Sequence, residues 1–517
     1  MRASCSHACP RRHAALAACL LAGLSGCATV GPDYRAPALD APANWIEADA
    51  TRPGGDRDDL RAWWRAFQDP LLDRLVDRAL AHHQDLDIAL ARLRQARAVR
   101  IQVASAAMPE LSIGAAGEAA RGSDALDSPP GGRARAWHLG LDASWELDLF
   151  GRTRRAVEAA DAGIQALVED HRALQASLVA ELVSDYVGLR AAQLRLAIAR
   201  ENVGTLVDAE RLAERAYRSG LGTLADVMQA RAERETAQAQ PPLLEADIAR
   251  LGHAIGILTG GFPGDWRAAL SAPAPRLPRP AGLPLWLPSD VIRSRPDLRA
   301  DERRLAAATA RIGVAQAGRF PAFRIPLGIG TAASAIHDLF SGAGLAWSAA
   351  IQGSRSVYDA GRARAGVAAA QADADAARSV YERDVRAALG DVEDALTAWT
   401  TERQRQVSLR EAAADSQRAL EQATRRYAAG LSAYLPVLVA QRALHQARDA
   451  LALSELAELQ GVVALYKSLG AGWTDAAPEP ATAGSEAPET TATRCTGAAG
   501  RSAWPACGRA GAPVPAR

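Results

Sequence analysis

The sequence predicts a mainly α-helical chain with a membrane β-barrel portion, built twice in tandem. Three observations carry that class. Between Trp137 and Leu149, the residues Trp137, Leu139, Leu141, Ala143, Trp145, Leu147 and Leu149 are apolar, while His138, Gly140, Asp142, Ser144, Glu146 and Asp148 are small or polar. This is the period-two signature of a strand with one greasy and one wet face. Helical periodicity takes over at Gly151, and no proline follows until Pro241. The arrangement then recurs: Trp137 corresponds to Trp347, Gly151-Arg152 to Gly361-Arg362, Tyr217 to Tyr427, Gly220-Leu221 to Gly430-Leu431 and Val227 to Val437, each pair 210 apart. Ahead of the strands the spacing is 212, with Asp85-Leu86 against Asp297-Leu298 and Pro109 against Pro321. A loop between strands absorbs the difference, and register held over so long a span marks a tandem duplication.

Residues 1–26 read as an export signal of the lipoprotein kind. Arg2, Arg11, Arg12 and His13 form a positive head, Ala14 to Leu21 a short apolar core, and Leu24-Ser25-Gly26-Cys27 a small-residue cleavage site. The stretch resembles a bacterial lipoprotein signal, which implies acylation of Cys27 and, with Ala28 after it, sorting to the outer membrane; a plain secretory signal with an incidental cysteine is the alternative. Cys495 and Cys507 are then the remaining candidates for a disulfide, in a compartment that permits one. No apolar run after Cys27 is long enough for a membrane-spanning helix, so strands must make any crossing.

Residues 27–59 are a proline-punctuated, lipidated tether. The first repeat is expected over 60–260. Trp63, Trp64, Phe67, Asp69 and Pro70 precede a helical run in which Leu72, Leu75, Val76, Leu80, Leu86, Ile88, Leu90 and Leu93 recur at helical spacing, and Met108-Pro109 ends it. A strand hairpin is expected over 112–150, with Gly122 to Arg133 as its polar loop. After Gly151 the helix runs on, with Leu182, Leu189, Leu196 and Val203 seven apart and Val179 and Tyr186 between them, a seam broken by Gln193 and Arg200. The chain turns at Arg218 to Gly222, and a returning helix starts over Leu224 to Gln240.

Residues 261–288 form a proline-rich crossover, and the second repeat covers 289–473 with its strand hairpin over 322–360. Phe323, Ile325, Leu327 and Ile329 alternate, but Pro326 removes a donor; Trp347, Ala349, Ile351 and Val357 alternate, but Arg355 stands where Trp145 stood. Residues 474–517 are low-complexity and expected to be disordered.

The Trp137 strand is long enough to cross an outer membrane, rising about 30 Å at a tilt of roughly 45°. An ordinary sandwich strand would alternate in the same way, and the duplication and the lipoprotein signal favour the membrane reading. Four strands cannot close a barrel, and lipid does not tolerate open edges, so chains must pool their strands. Two chains would give a barrel filled by side chains, three a barrel wide enough for a lumen. Asp142, Glu146 and Asp148 suit a wet lumen.

Gly31-Pro32-Asp33-Tyr34, Trp63-Trp64 with Asp69-Pro70, Leu287-Pro288-Ser289-Asp290 and Arg295-Pro296-Asp297-Leu298 carry a resemblance that covers Cys27 to about Trp473. The chain resembles the TolC-like outer membrane factors, in their NodT-type lipoprotein branch serving resistance-nodulation-division (RND) efflux pumps. The resemblance implies a homotrimer, with a twelve-strand outer-membrane barrel continuing into a twelve-helix periplasmic tunnel. It implies a Gram-negative outer-membrane location with a large periplasmic portion, and as partners a periplasmic adaptor and an inner-membrane RND pump. The adaptor-contact tips map to Arg218, Ser219, Gly220, Leu221, Gly222 and Thr223, and to Ala428, Ala429, Gly430, Leu431 and Ser432. Relatives close the periplasmic end partly with aspartates on the helix after the second tip. Here Ser432, Pro436 and Val439 carry no acid, so the candidate gate comprises Asp226 in the first copy and Leu435, Val437 and Leu438, which could instead be ordinary interhelical core. Gly151 and Gly361 mark where barrel becomes tunnel.

Catalysis is not indicated. His82-His83 with Asp85 and Asp87 face different directions on a helix, and no HExxH, phosphate-cradling glycine loop or GxSxG is present. No metal or other cofactor is expected beyond the lipid on Cys27. Basic residues are arginines except Lys467 and alternate with acids along helix faces, which leaves no patch for nucleic acid. The expectation is a passive exit duct for drugs or other small toxic compounds. A duct for secreted polypeptides, as in type I secretion, and a pore-free structural coiled-coil lipoprotein are the alternatives.

Overall fold

A computed structural model describes residues 29–38, 42–46, 60–121, 133–272, 277–278 and 288–473. The export signal with Cys27, the loop tip over 122–132 and the tail with Cys495 and Cys507 lie outside the described residues.

The first helix, α1 (Pro70–His82), starts where Asp69 accepts hydrogen bonds from the Leu71 and Leu72 amides and Pro70 pre-sets the first helical φ. His83 ends α1 and caps α2 (Gln84–Ser105): its Nδ1 accepts from the Asp85 amide at 3.2 Å. The histidine pair therefore belongs to a helix boundary.

The long α3 (Arg152–Arg218) is 67 residues, about 100 Å at 1.5 Å per residue. Its return is split into α4 (Leu224–Gln238) and α5 (Pro241–Leu258) because Pro241 cannot donate into a continuing helix but suits a fresh first turn. Short α6 (Arg267–Leu270) and α7 (Pro288–Ser294) lead to α8 (Pro296–Ala317). The second long helix, α9 (Arg362–Ala428), also has 67 residues, and α10 (Leu435–Ser468) returns unbroken. Helices α2 and α8 start 212 apart, and α3 and α9 start 210 apart, so the duplication is built into the elements themselves.

The core lies where the two copies meet. Trp63, Trp64 and Phe67 of a short 3₁₀ turn are buried against Leu72, Leu75 and Val76 of α1, Val179, Leu182, Tyr186 and Leu189 of α3, and Val462 and Tyr466 of α10. Trp63 stacks on Tyr466 with centroids 4.7 Å apart. The heptad seam packs as expected down to Leu196, while Val203 is only half-buried. The two seam-breaking polar residues have their own partners: Gln193 donates to the Leu270 carbonyl at 2.7 Å and Arg200 pairs with Glu245 at 2.7 Å.

All strands among the described residues join one antiparallel sheet, in the order β1 (Glu110–Arg121), β2 (Arg133–Leu147), β3 (Ala322–Ala333), β4 (Leu345–Ala349), with β5 (Gln352–Ser354) also on β3. The expectation of one alternating second strand running on through Arg355 and Val357 is corrected: it is broken into β4 and β5 and stops at Ser354. Pro326 explains the break. Its carbonyl accepts from the Ala350 amide at 3.1 Å, but it has no N–H to return the bond, so the ladder lapses there.

Candidate functional site

The sheet presents two unlike faces. Register puts Leu111 beside Ala143, Ile113 beside Leu141, Leu141 beside Ile329 and Ile329 beside Trp347, all on the face that carries Trp137. Ile113 is 75% and Trp347 77% exposed, a broad apolar surface with no cover among the described residues. The opposite face carries Ser112, Asp142, Glu146, Arg324 and Ser348, with Arg324 3.3 Å from Glu146. Gly114, Gly140 and Gly330 stand in one row across three strands of that polar face. A Cβ on Gly330 would come within 2.8 Å of the Gly140 Cα, so the row keeps this wall thin.

Sheet passes into helix at two glycines in the left-handed region, Gly151 at φ 80° and Gly361 at φ 87°. An aspartate caps each long helix from just before its glycine: Asp148 accepts from the Arg154 amide at 2.9 Å, and Asp359 accepts from the Gly361 and Ala363 amides at 2.9 Å. The amide bonds, those from Ala363 and Gly361 foremost, hold the Asp359 carboxyl below the usual carboxylate range. Phe150 and Phe320 stack across the first junction, with centroids 4.6 Å apart.

The N-terminal strap runs into the first junction. The Val30 amide donates to the Phe150 carbonyl at 3.2 Å, and a Cβ on Gly151 would meet Thr29 Cα at 3.0 Å. Arg155, whose side chain is 5% exposed, donates to the carbonyls of Val30 and Gly31, each at 3.2 Å, and to Asp33 at 2.7 Å and Glu158 at 2.8 Å. Tyr34 donates to Glu302 on α8 at 3.0 Å, and farther along Trp45 is buried against Val291, Leu396 and Leu465.

Both helical hairpins turn alike at the far end. Gly220 (φ 73°) and Gly430 (φ 70°) reverse the chain, and the amides of Leu221 and Leu431 donate back to the Ala216 and Arg426 carbonyls at 2.9 Å. Leu221 and Leu431 end up 76% and 71% exposed on the two turns.

The sequence profile described as "Outer membrane efflux protein" matches residues 75–261 and 287–471. The chain belongs to the outer membrane efflux protein family. It is 34% identical over 465 residues to the solvent efflux pump outer membrane protein SrpC of Pseudomonas putida, spanning 87% of this chain and 96% of that one. It is 32% identical over 466 residues to the pyoverdine export outer membrane protein OpmQ of Pseudomonas putida, spanning 88% and 96%. Among solved structures it is similar to the outer-membrane channel OprN, with a TM-score of 0.81 at 40% identity over 86% of this chain and 100% of that one. The protein is thus an outer-membrane channel component of the efflux class.

Within this efflux channel chain the four gate positions divide. Asp226 is spent on local structure: its carboxylate accepts from the Thr223 amide and hydroxyl, both at 2.9 Å, while the Asp226 amide donates to the Thr223 hydroxyl, a reciprocal cap on α4. Val437 and Leu438 are 1% and 2% exposed, packed with Val227, Leu420, Tyr427 and Tyr434. Leu435, by contrast, is 56% exposed. Tyr427 and Tyr434 sit 5.4 Å apart in that cluster, and neither buried hydroxyl has a partner among the described residues. Burial pushes the Tyr434 phenol up to about 12.

Sequence reading missed Arg155, Tyr186 and Arg190 as organising residues. Tyr186 donates to Asp69 and accepts from Arg190, which also reaches the Ala272 carbonyl at 2.8 Å. Asp33 in Gly-Pro-Asp-Tyr is the one signal for Arg155, the only acid between Thr29 and Ala38.

Proposed function

We propose that three copies of this chain close a barrel around a wet lumen and serve as a passive exit duct for small toxic compounds. The observation that carries this reading is the open sheet. β4 and β5 share one position beside β3, so the sheet is four strands wide, and its outer edges have no partner among the described residues. Open edges are untenable in hydrocarbon, and three copies supply twelve strand positions, enough for a lumen rather than a filled interior. The face bearing Asp142 and Glu146 would line it.

The long helices would extend the barrel into the periplasm, since none is long and apolar enough to cross a membrane. Their turns, Arg218 to Thr223 and Ala428 to Ser432, would meet a periplasmic adaptor that couples the duct to an inner-membrane pump. The exposed Leu221 and Leu431 suit apolar docking. Of the gate candidates, Leu435 is free to close the pore, with Val437 and Leu438 supporting it from behind. Acylation of Cys27 would anchor the chain to the membrane. One named relative belongs to a solvent efflux pump and another to pyoverdine export, which fits a duct whose selectivity resides in the pump.

Deletion of the gene followed by measurement of drug and solvent accumulation tests the proposal. Raised accumulation, restored by the wild-type chain, is expected. Unchanged accumulation together with lost secretion of a polypeptide would replace it with a secretion duct.

A further inference from the structure

The first strand hairpin carries charge where a duct alone does not need it. On β2 the outward row runs Leu147, Trp145, Ala143, Leu141, Leu139, Trp137, and the next residue in the row is Arg135. The eleven residues from Leu147 to Trp137 rise about 25 Å in a strand tilted roughly 40°, the height of the apolar band of a membrane barrel. Arg135 follows about 5 Å farther on. Across the ladder it faces Ala119, and the next residue of β1 on the same face is Arg121.

Both arginines are exposed, and neither has an ion-pair partner among the described residues. The ladder between β2 and β3 ends at Trp137 and Ala333, so this end of the hairpin stands clear of the third strand. Trp137 marks the edge of the band. Its ring lies over Gly117, where a Cβ would come within 2.5 Å of it. Glu118, at the same level, belongs to the opposite, lumenal face. Positive charge therefore faces the membrane at the rim while negative charge faces the pore.

We infer that Arg121 and Arg135 bind phosphate groups of the phosphorylated glycolipid in the outer leaflet. The inference rests on the duct reading, which puts the helices in the periplasm and this end of the hairpin outside. A planar guanidinium donates two parallel hydrogen bonds to a phosphate, and two such groups just beyond the apolar band meet the headgroup without entering hydrocarbon. A trimer repeats the pair three times around the rim, so the collar of bound lipid would seal the barrel against the outer leaflet.

The test uses the full-length trimer in nanodiscs containing either bis-phosphorylated lipid A or lipid A stripped of phosphate, with retained lipid counted by native mass spectrometry. The wild type should retain the phosphorylated form about tenfold better, R121Q/R135Q should lose that preference, and R121K/R135K should keep part of it. Millimolar inorganic phosphate should not displace the lipid. Equal retention by the wild type and R121Q/R135Q would overturn the inference. Full displacement by inorganic phosphate would also overturn it, by making the pair a site for soluble anions. Conductance recorded on the same samples keeps the two readings apart, since a silent wild-type channel counts against the duct while the lipid count alone decides the site.

Discussion

Replacing Arg155 by methionine should release the N-terminal strap while leaving the helices folded. The wild-type guanidinium holds the strap by two carbonyl bonds and one ion pair. The carbonyl bonds contribute about 1 kcal/mol each. The pair with Asp33 counts for a few tenths, because the Asp33 side chain is 86% exposed and solvent screens it. Glu158 lies on α3 with Arg155 and does not enter the balance. The sum, about 2–3 kcal/mol, shifts the strap toward its open state on the order of 30- to 150-fold. Methionine keeps most of the buried apolar stem, which separates this loss from a packing defect. Hydrogen exchange of the peptide spanning residues 29–38 reads the change directly. Faster exchange there, with α3 unaltered, is the expected result. Wild-type exchange in Arg155→Met would refute the assignment of Arg155 as the clamp.

Three further outcomes follow from the geometry. Tyr434→Phe removes a buried hydroxyl that has no partner and should be neutral or stabilising by up to about 1 kcal/mol, whereas Tyr434→Ala should cost about 3–5 kcal/mol; chemical denaturation of the two variants checks the contrast. Gly151→Ala should destabilise more than Gly361→Ala. Both pay about 1–2 kcal/mol for the left-handed backbone, but only at Gly151 does a Cβ collide, with Thr29, so the difference in melting temperature should follow that order. The start of α9 should loosen in acid. The folded Asp359 carboxyl titrates below its unfolded value, so its contribution is complete above the ordinary carboxylate range and fades as pH falls through the folded value. Asp359→Asn should abolish that pH dependence, as read by exchange of the Gly361 and Ala363 amides.

The parts of the fold that repeat were readable because the repeat exposes them. Gly151 and Gly361 stood out as matched positions, and both hold a left-handed backbone that an L side chain resists. The alternation from Trp137 to Leu147 gave the sheet its two faces for the same reason that a strand has two faces. The broken β4–β5 edge was harder to read, since it depends on which neighbour Pro326 would have donated to, and that is a matter of register rather than composition. Val437 and Leu438 are apolar at helical spacing whether they line a pore or a protomer core, and their packing against Tyr427 and Tyr434 is not written in that spacing. Arg155 looked like one more helix-surface arginine, because its partners lie more than 120 residues away in the strap.

Strands pooled from three copies should form an open conduit. Single-channel recording of the purified oligomer in planar bilayers, alongside a variant with Leu221, Leu431 and Leu435 replaced by aspartate to loosen the tips, addresses it most directly. Discrete conductance steps that grow linearly with electrolyte concentration, larger and more frequent in the loosened variant, are expected. Silence from both proteins, when their insertion into the bilayer is verified independently, would contradict it.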